Sequence, residues 1–160
     1  MEQLYRVGGT LSRGFVGQIT YTVCLERAWD KLDIEFAFDK RRYAPEDVTP
    51  ALMADIRALC LEKYGECPDD AALRDAILGE MKAEIHTLAT LNDEFIGCVH
   101  RQLDRRHMTW DGAAATPGCV PTARFEGVLK VTVLVFNVIK DDTRYELIVR
   151  GAEAGEVFPC

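Results

Sequence analysis

A single apolar stripe constrains this chain more than any other feature. Advancing about 100° per residue from Leu73, the residues Ile77, Leu78, Met81, Ile85, Leu88, Leu91, Phe95, Ile96, Val99 and Leu103 fall within an arc of about 140°. An amphipathic helix presents such an arc to a core. With its flanks the helix would run about 38 residues, some 57 Å at 1.5 Å per residue. A compact chain of this length is only about 40 Å across. The stripe therefore predicts a helix that bends near Thr87–Asp93 or projects onto a partner. A second arc of small residues, Ala72, Ala76, Gly79, Ala83 and Gly97, offers it another packing face.

Strand periodicity lies on either side. Ile19, Tyr21, Val23 and Leu25 alternate with polar neighbours, as do Leu32, Ile34, Phe36 and Phe38, and the short link around Arg27–Lys31 predicts that these two strands pair antiparallel. An earlier strand over 4–11 is weakened by Gly8 and Gly9. The segment from Val128 to Ile139 is apolar on both faces and reads as a central strand. Asp141-Asp142 turns the chain, and Tyr145, Leu147 and Val149 alternate with Arg144, Glu146 and Arg150 in a wetter strand.

Between the strand groups, Thr49 before Pro50 reads as an N-cap followed by proline at the first helical position, and Gly65 closes that short helix. Pro68-Asp69-Asp70 opens the long helix with acidic residues where the macrodipole favours them.

The expectation is one α+β domain over 1–160: strands in about 4–40, helices in about 50–108, a loop over 109–122, a strand hairpin in about 125–150 and a frayed tail over 151–160. Its antiparallel sheet would hold four to six strands in β-β-(β)-α-α-β-β order, with a short helix and one long, bent helix packed on it.

Charge bears on partners. A net charge of −7 argues against non-specific binding to nucleic acid or to anionic membranes. No apolar run reaches the roughly 18 to 20 residues of a membrane span. Met1–Arg6 lack the basic-then-apolar signature of a secretory signal, so the expected location is cytoplasmic. Six cysteines stand at irregular spacing with no Cys-x-x-Cys, and most of them read as small buried hydrophobes.

Candidate chemistry is sparse. His86, Asp93, His100 and His107 recur every seven residues, about 10.5 Å apart along a helix and too far for one ion. His100, Asp104 and His107, spaced four and three, could converge on a metal. Gly9 and Gly14 have P-loop separation, but Phe15 and Val16 stand where lysine and a hydroxyl are needed. Serine occurs once, at Ser12, outside any nucleophile elbow. Asp33 and Glu35 share the face opposite Ile34 and Phe36 and read as solvent-facing.

Basic residues cluster at Lys40-Arg41-Arg42 and at Arg101, Arg105 and Arg106, the second group being a candidate anion or partner patch. Phe36, Phe95, Val99, Trp110, Val133 and Phe136 are candidates to line an apolar ligand pocket between long helix and sheet.

No catalytic residue and no cofactor is assigned. The leading expectation is a non-enzymatic cytoplasmic binding or interaction module, with a homodimer or protein partner docking through the long helix. An apolar-ligand protein is the first alternative; an enzyme or metal protein using the His100/Asp104/His107 region is the second.

Overall fold

The computed structural model describes residues 1–100, 103–112 and 114–157. Nine strands form two antiparallel sheets: β1 (Glu2–Leu11), β2 (Gly17–Trp29), β3 (Lys31–Phe38), β4 (Glu84–Leu91), β5 (Glu94–Val99), β6 (Arg105–Asp111), β7 (Ala114–Ala115), β8 (Phe125–Asn137) and β9 (Thr143–Ala152). One sheet has the order β1-β9-β3-β6-β7, the other β2-β8-β4-β5. They pack face to face around one core. Ile34, Phe36, Met108, Trp110, Leu147 and Val149 face Ile85, Ala89, Leu129, Val131 and Val133 there, all at most 1% exposed.

Two short helices link β3 to β4: α1 (Pro50–Tyr64) and α2 (Asp70–Gly79). The Thr49 hydroxyl accepts from the Leu52 amide at 3.2 Å, Pro50 stands at the first turn, and Gly65 ends α1 in a left-handed conformation at φ 75°. Asp69 caps α2 through the Ala72 amide. Leu52, Ile56, Leu73 and Ile77 bury the helices into the end of the core. Among the described residues no helix is long and apolar enough to cross a membrane.

The α+β expectation is overturned: the chain is mostly β and contains no long, bent helix among the described residues. The helix that opens at Asp70 stops at Gly79, and the stripe beyond it belongs to the hairpin of β4 and β5. There the buried residues alternate as Ile85, Thr87, Ala89 and Leu91. Asn92 and Asp93, with φ 51° and 68°, form the two-residue turn that reverses the chain. The wide helical arc and this alternation share Ile85 and Leu91, so both periods fit those apolar positions. Thr87 and Ala89 decide between them. A helix would place them at the two flanks of the arc, about 40° and 20° outside it, whereas they are 1% and 0% exposed, in step with Ile85 and Leu91. Gly97 does mark a close approach, since a Cβ there would lie 2.6 Å from Cys119 Sγ, but its neighbours are Cys119 and Trp110 rather than a second helix.

Two pairings also differ from expectation. β2 and β3 do not form a hairpin: β2 pairs β8, while β3 lies between β6 and β9 in the opposite sheet. Trp29 and Lys31 are a corner between sheets. Residues 105–111, expected at a helix end and in a loop, form β6. β1 is a full strand despite its glycines. Gly9 makes room for Tyr145, whose hydroxyl would lie 2.4 Å from any Cβ there. The strand beginning at Thr143 runs through Ala152, so the first residues assigned to a frayed tail are in the sheet.

Candidate functional site

β3 is buried on both faces. Its even positions, Leu32 to Phe38, belong to the core, while Lys31, Asp33 and Glu35 point to the outer face of the five-stranded sheet. Asp33 and Glu35 are only 3% and 5% exposed. No helix covers them. The side chains of the flanking strands do.

The register explains how. Asp33 lies opposite Arg150 on β9 and Thr109 on β6, and Glu35 lies opposite Ile148 and His107. Side chains directly opposite on one face are neighbours. Arg150 donates from Nη1 to Asp33 Oδ2 at 2.9 Å and from Nη2 to Glu35 Oε2 at 2.7 Å, joining the two carboxylates. Asp33 Oδ1 accepts from Thr109 Oγ1 at 3.1 Å and meets His107 Nδ1 at 2.9 Å. Arg105 closes over Glu35 Oε1. Two carboxylates are thus matched by two guanidiniums, with His107 at the rim. The Arg105 and His107 side chains stay 62% and 42% exposed above nearly dry carboxylates.

Asp33, Glu35 and His107 also place three ligand atoms within 4.8 Å of one another. The donor set argues against a metal ion. Both Asp33 oxygens and Glu35 Oε2 already face a guanidinium, hydroxyl or imidazole, while Glu35 Oε1 is buried, accepts no hydrogen bond and is ion-paired with Arg105. A cation would have to displace Arg150 while Arg105 opposed it. The Asp33–His107 pair does have the carboxylate-on-Nδ1 arrangement that orients a general base. The one hydroxyl bonded within the cluster, that of Thr109, is already donated to Asp33. A cleft of about 430 Å³ lined by Ala37, Asp39, Arg105, Arg144 and Glu146 opens beside Arg105, and another of about 440 Å³ is lined by Leu4, Cys24, Arg27 and Trp29. The arrangement is suited to holding charged side chains in place.

The residues singled out from sequence disperse. His107 joins Asp33 and Glu35. Asp104 pairs with Arg41 at 3.3 Å, and the His100 ring stands 5.9 Å from that of His86. His86 in turn contacts Glu84 and Phe136 on the four-stranded sheet. Arg105 faces outward. Arg106, its neighbour on β6, points into the core, donates to Thr87 Oγ1 from Nε at 3.1 Å and Nη2 at 3.0 Å, and lies over the Phe36 ring at 4.8 Å. Burial lowers the Arg106 guanidinium pKa to about 10. Arg101 lies outside the described residues.

Of the pocket candidates, Phe36, Val99, Trp110 and Val133 are core residues, whereas Phe95 and Phe136 are 51% and 52% exposed. Alternation puts Asp33 and Glu35 on one face; it carries no sign of their burial, because Arg150 and Arg105 lie 117 and 70 residues away.

A family model, a family of unknown function designated DUF6669, matches residues 1–154. The chain belongs to the DUF6669 family. The match takes in both sheets and every residue of the ionic cluster. No curated protein matches this DUF6669 chain, and no solved structure does.

Proposed function

We propose that the protein is a non-enzymatic binding module that meets an acidic partner surface through the outer face of its five-stranded sheet. One observation carries this reading: two buried carboxylates hold Arg150, Arg105 and His107 in a fixed row, leaving the heads of Arg105 and His107 in solvent. Arg6, paired with Glu146 at 2.6 Å, extends the exposed basic groups across β1. The anions of the cluster lie beneath and the guanidinium of Arg105 above, so the exposed group at the cluster is cationic although the whole chain is acidic. Side chains already fixed by ion pairs lose less entropy on binding than free arginines do.

Titration of a labelled sample with polyglutamate peptide, followed by amide chemical shifts, tests the proposal. The expected result is a salt-sensitive set of shifts confined to β3, β6 and β9, lost in Arg105→Glu. Shifts spread over other faces, or unchanged binding by Arg105→Glu, would overturn it.

A further inference from the structure

Each sheet has two edge strands, and exposed strand edges are managed in natural proteins because they recruit other strands. Three of these four carry a recognisable device. β7 is two residues long. β5 is covered by the following loop, with the Cys98 amide donating to Gly118 O at 2.9 Å and the Val120 amide to Ile96 O at 2.8 Å. β1 has a register break between Gln3 and Tyr5 and a charged residue, Arg6, at its middle. β2 has none. From Gly17 to Leu25 it runs in unbroken register with β8 and carries no charge, no proline and no bulge. Gln18, Thr20, Thr22 and Cys24 are exposed along it, and no described segment bonds its outer backbone edge.

We infer that β2 is a homodimer interface, pairing antiparallel with β2 of a second copy to make one eight-stranded sheet across two chains. The sequence of the edge selects this occupant. A two-fold axis through Thr22 sets Gln18 opposite Glu26 and Thr20 opposite Cys24, polar against polar, while the half-buried Ile19 meets Leu25. No like charges oppose each other in this register, although each chain carries −7 overall. Antiparallel pairing about a two-fold is self-complementary and closed, so it ends at two copies. The seven residues from Ile19 to Leu25 that face one another in this register span about 24 Å of edge at about 3.4 Å each. This surface lies on the opposite sheet from the ionic cluster, so the two contacts are independent.

Sedimentation velocity at tens of micromolar tests it. The unaltered chain is expected at twice the chain mass. Thr22→Lys and Thr22→Glu, which set like charges against each other at the axis, are each expected at the monomer mass, and an equimolar mixture of the two returns to dimer. Independently, Thr20→Cys oxidised with glutathione disulfide is expected to cross-link to Cys24 of the second copy, the two thiols losing their protons and electrons to the reagent. A monomeric unaltered chain, a Thr22→Lys variant that stays dimeric, or a mixture that fails to dimerise would each overturn the inference. So would a peptide map of oxidised Thr20→Cys that shows no disulfide between the introduced thiol and Cys24.

Discussion

Asp33 and Arg150 stand directly opposite each other on β3 and β9, with Arg150 Nη1 donating to Asp33 Oδ2 at 2.9 Å. The other arm of the same guanidinium reaches Glu35 Oε2 at 2.7 Å. One arginine thereby organises two carboxylates that would otherwise repel each other across one residue of a strand. Removing a single partner from a buried ionic group leaves an uncompensated charge. Asp33→Ala is expected to destabilise the fold by about 3–5 kcal/mol, read from urea denaturation midpoints. Arg105→Ala is expected to cost less than Asp33→Ala, because the Arg105 head is 62% exposed and Arg150 still holds Glu35 Oε2. Equal effects would mean that Arg150 does not hold the cluster together.

Thr87 is the acceptor for a buried cation. Its Oγ1 receives two N–H groups of Arg106 in the space between the sheets. Thr87→Val keeps the shape and removes the acceptor. Hydrogen bonds to charged groups contribute about 1.5–3 kcal/mol, so a loss of that size is expected in chemical denaturation.

Asp47 sets part of the acid limb of stability. Lys140 Nζ donates to its Oδ2 at 2.5 Å and the Ala44 amide at 2.6 Å, and these bonds, the lysine first, hold its carboxyl below the ordinary value of 3.8. A folded value below the unfolded one means that the stabilisation is fully present above the ordinary value and is lost as pH falls through the folded value. Asp47→Asn should therefore be less stable than the unaltered chain by a constant margin from about pH 5 to 8, with the margin shrinking below about pH 4. Denaturation midpoints across that range check it.

Gly151 faces Trp29 at the corner where the chain leaves one sheet for the other. A Cβ on Gly151 would lie 2.4 Å from the indole Cδ2, and Trp29 is only 3% exposed. Gly151→Ala is expected to destabilise by about 1–3 kcal/mol through overpacking, with a matching drop in melting temperature. A neutral result would show that Trp29 can move.

Much of the local structure is legible in the sequence because its causes are local. Thr49-Pro50 and Gly65 bound α1 through capping chemistry, and Asp69 starts α2. The strands at 17–29, 31–38, 125–137 and 143–152 follow from alternation and β-branched content. The stretch from Glu84 to Val99 reads as helix because its apolar spacing satisfies two periods. The contrary signal is also local: the Asn92-Asp93 pair and the threonines at 87 and 90 favour a hairpin over a helix interior.

Residue order alone places β2, β3, β8 and β9, puts Asp33 and Glu35 on one face of β3, and makes the chain acidic. Long-range packing was needed to settle which strands pair, that β2 and β3 belong to opposite sheets, and that Asp33 and Glu35 are buried beneath Arg150, Arg105 and His107. The physical reason is range. Alternation along a strand is set by backbone geometry over a few residues, whereas the burial of a charged side chain depends on partners from other strands, in this case 70 to 117 residues away.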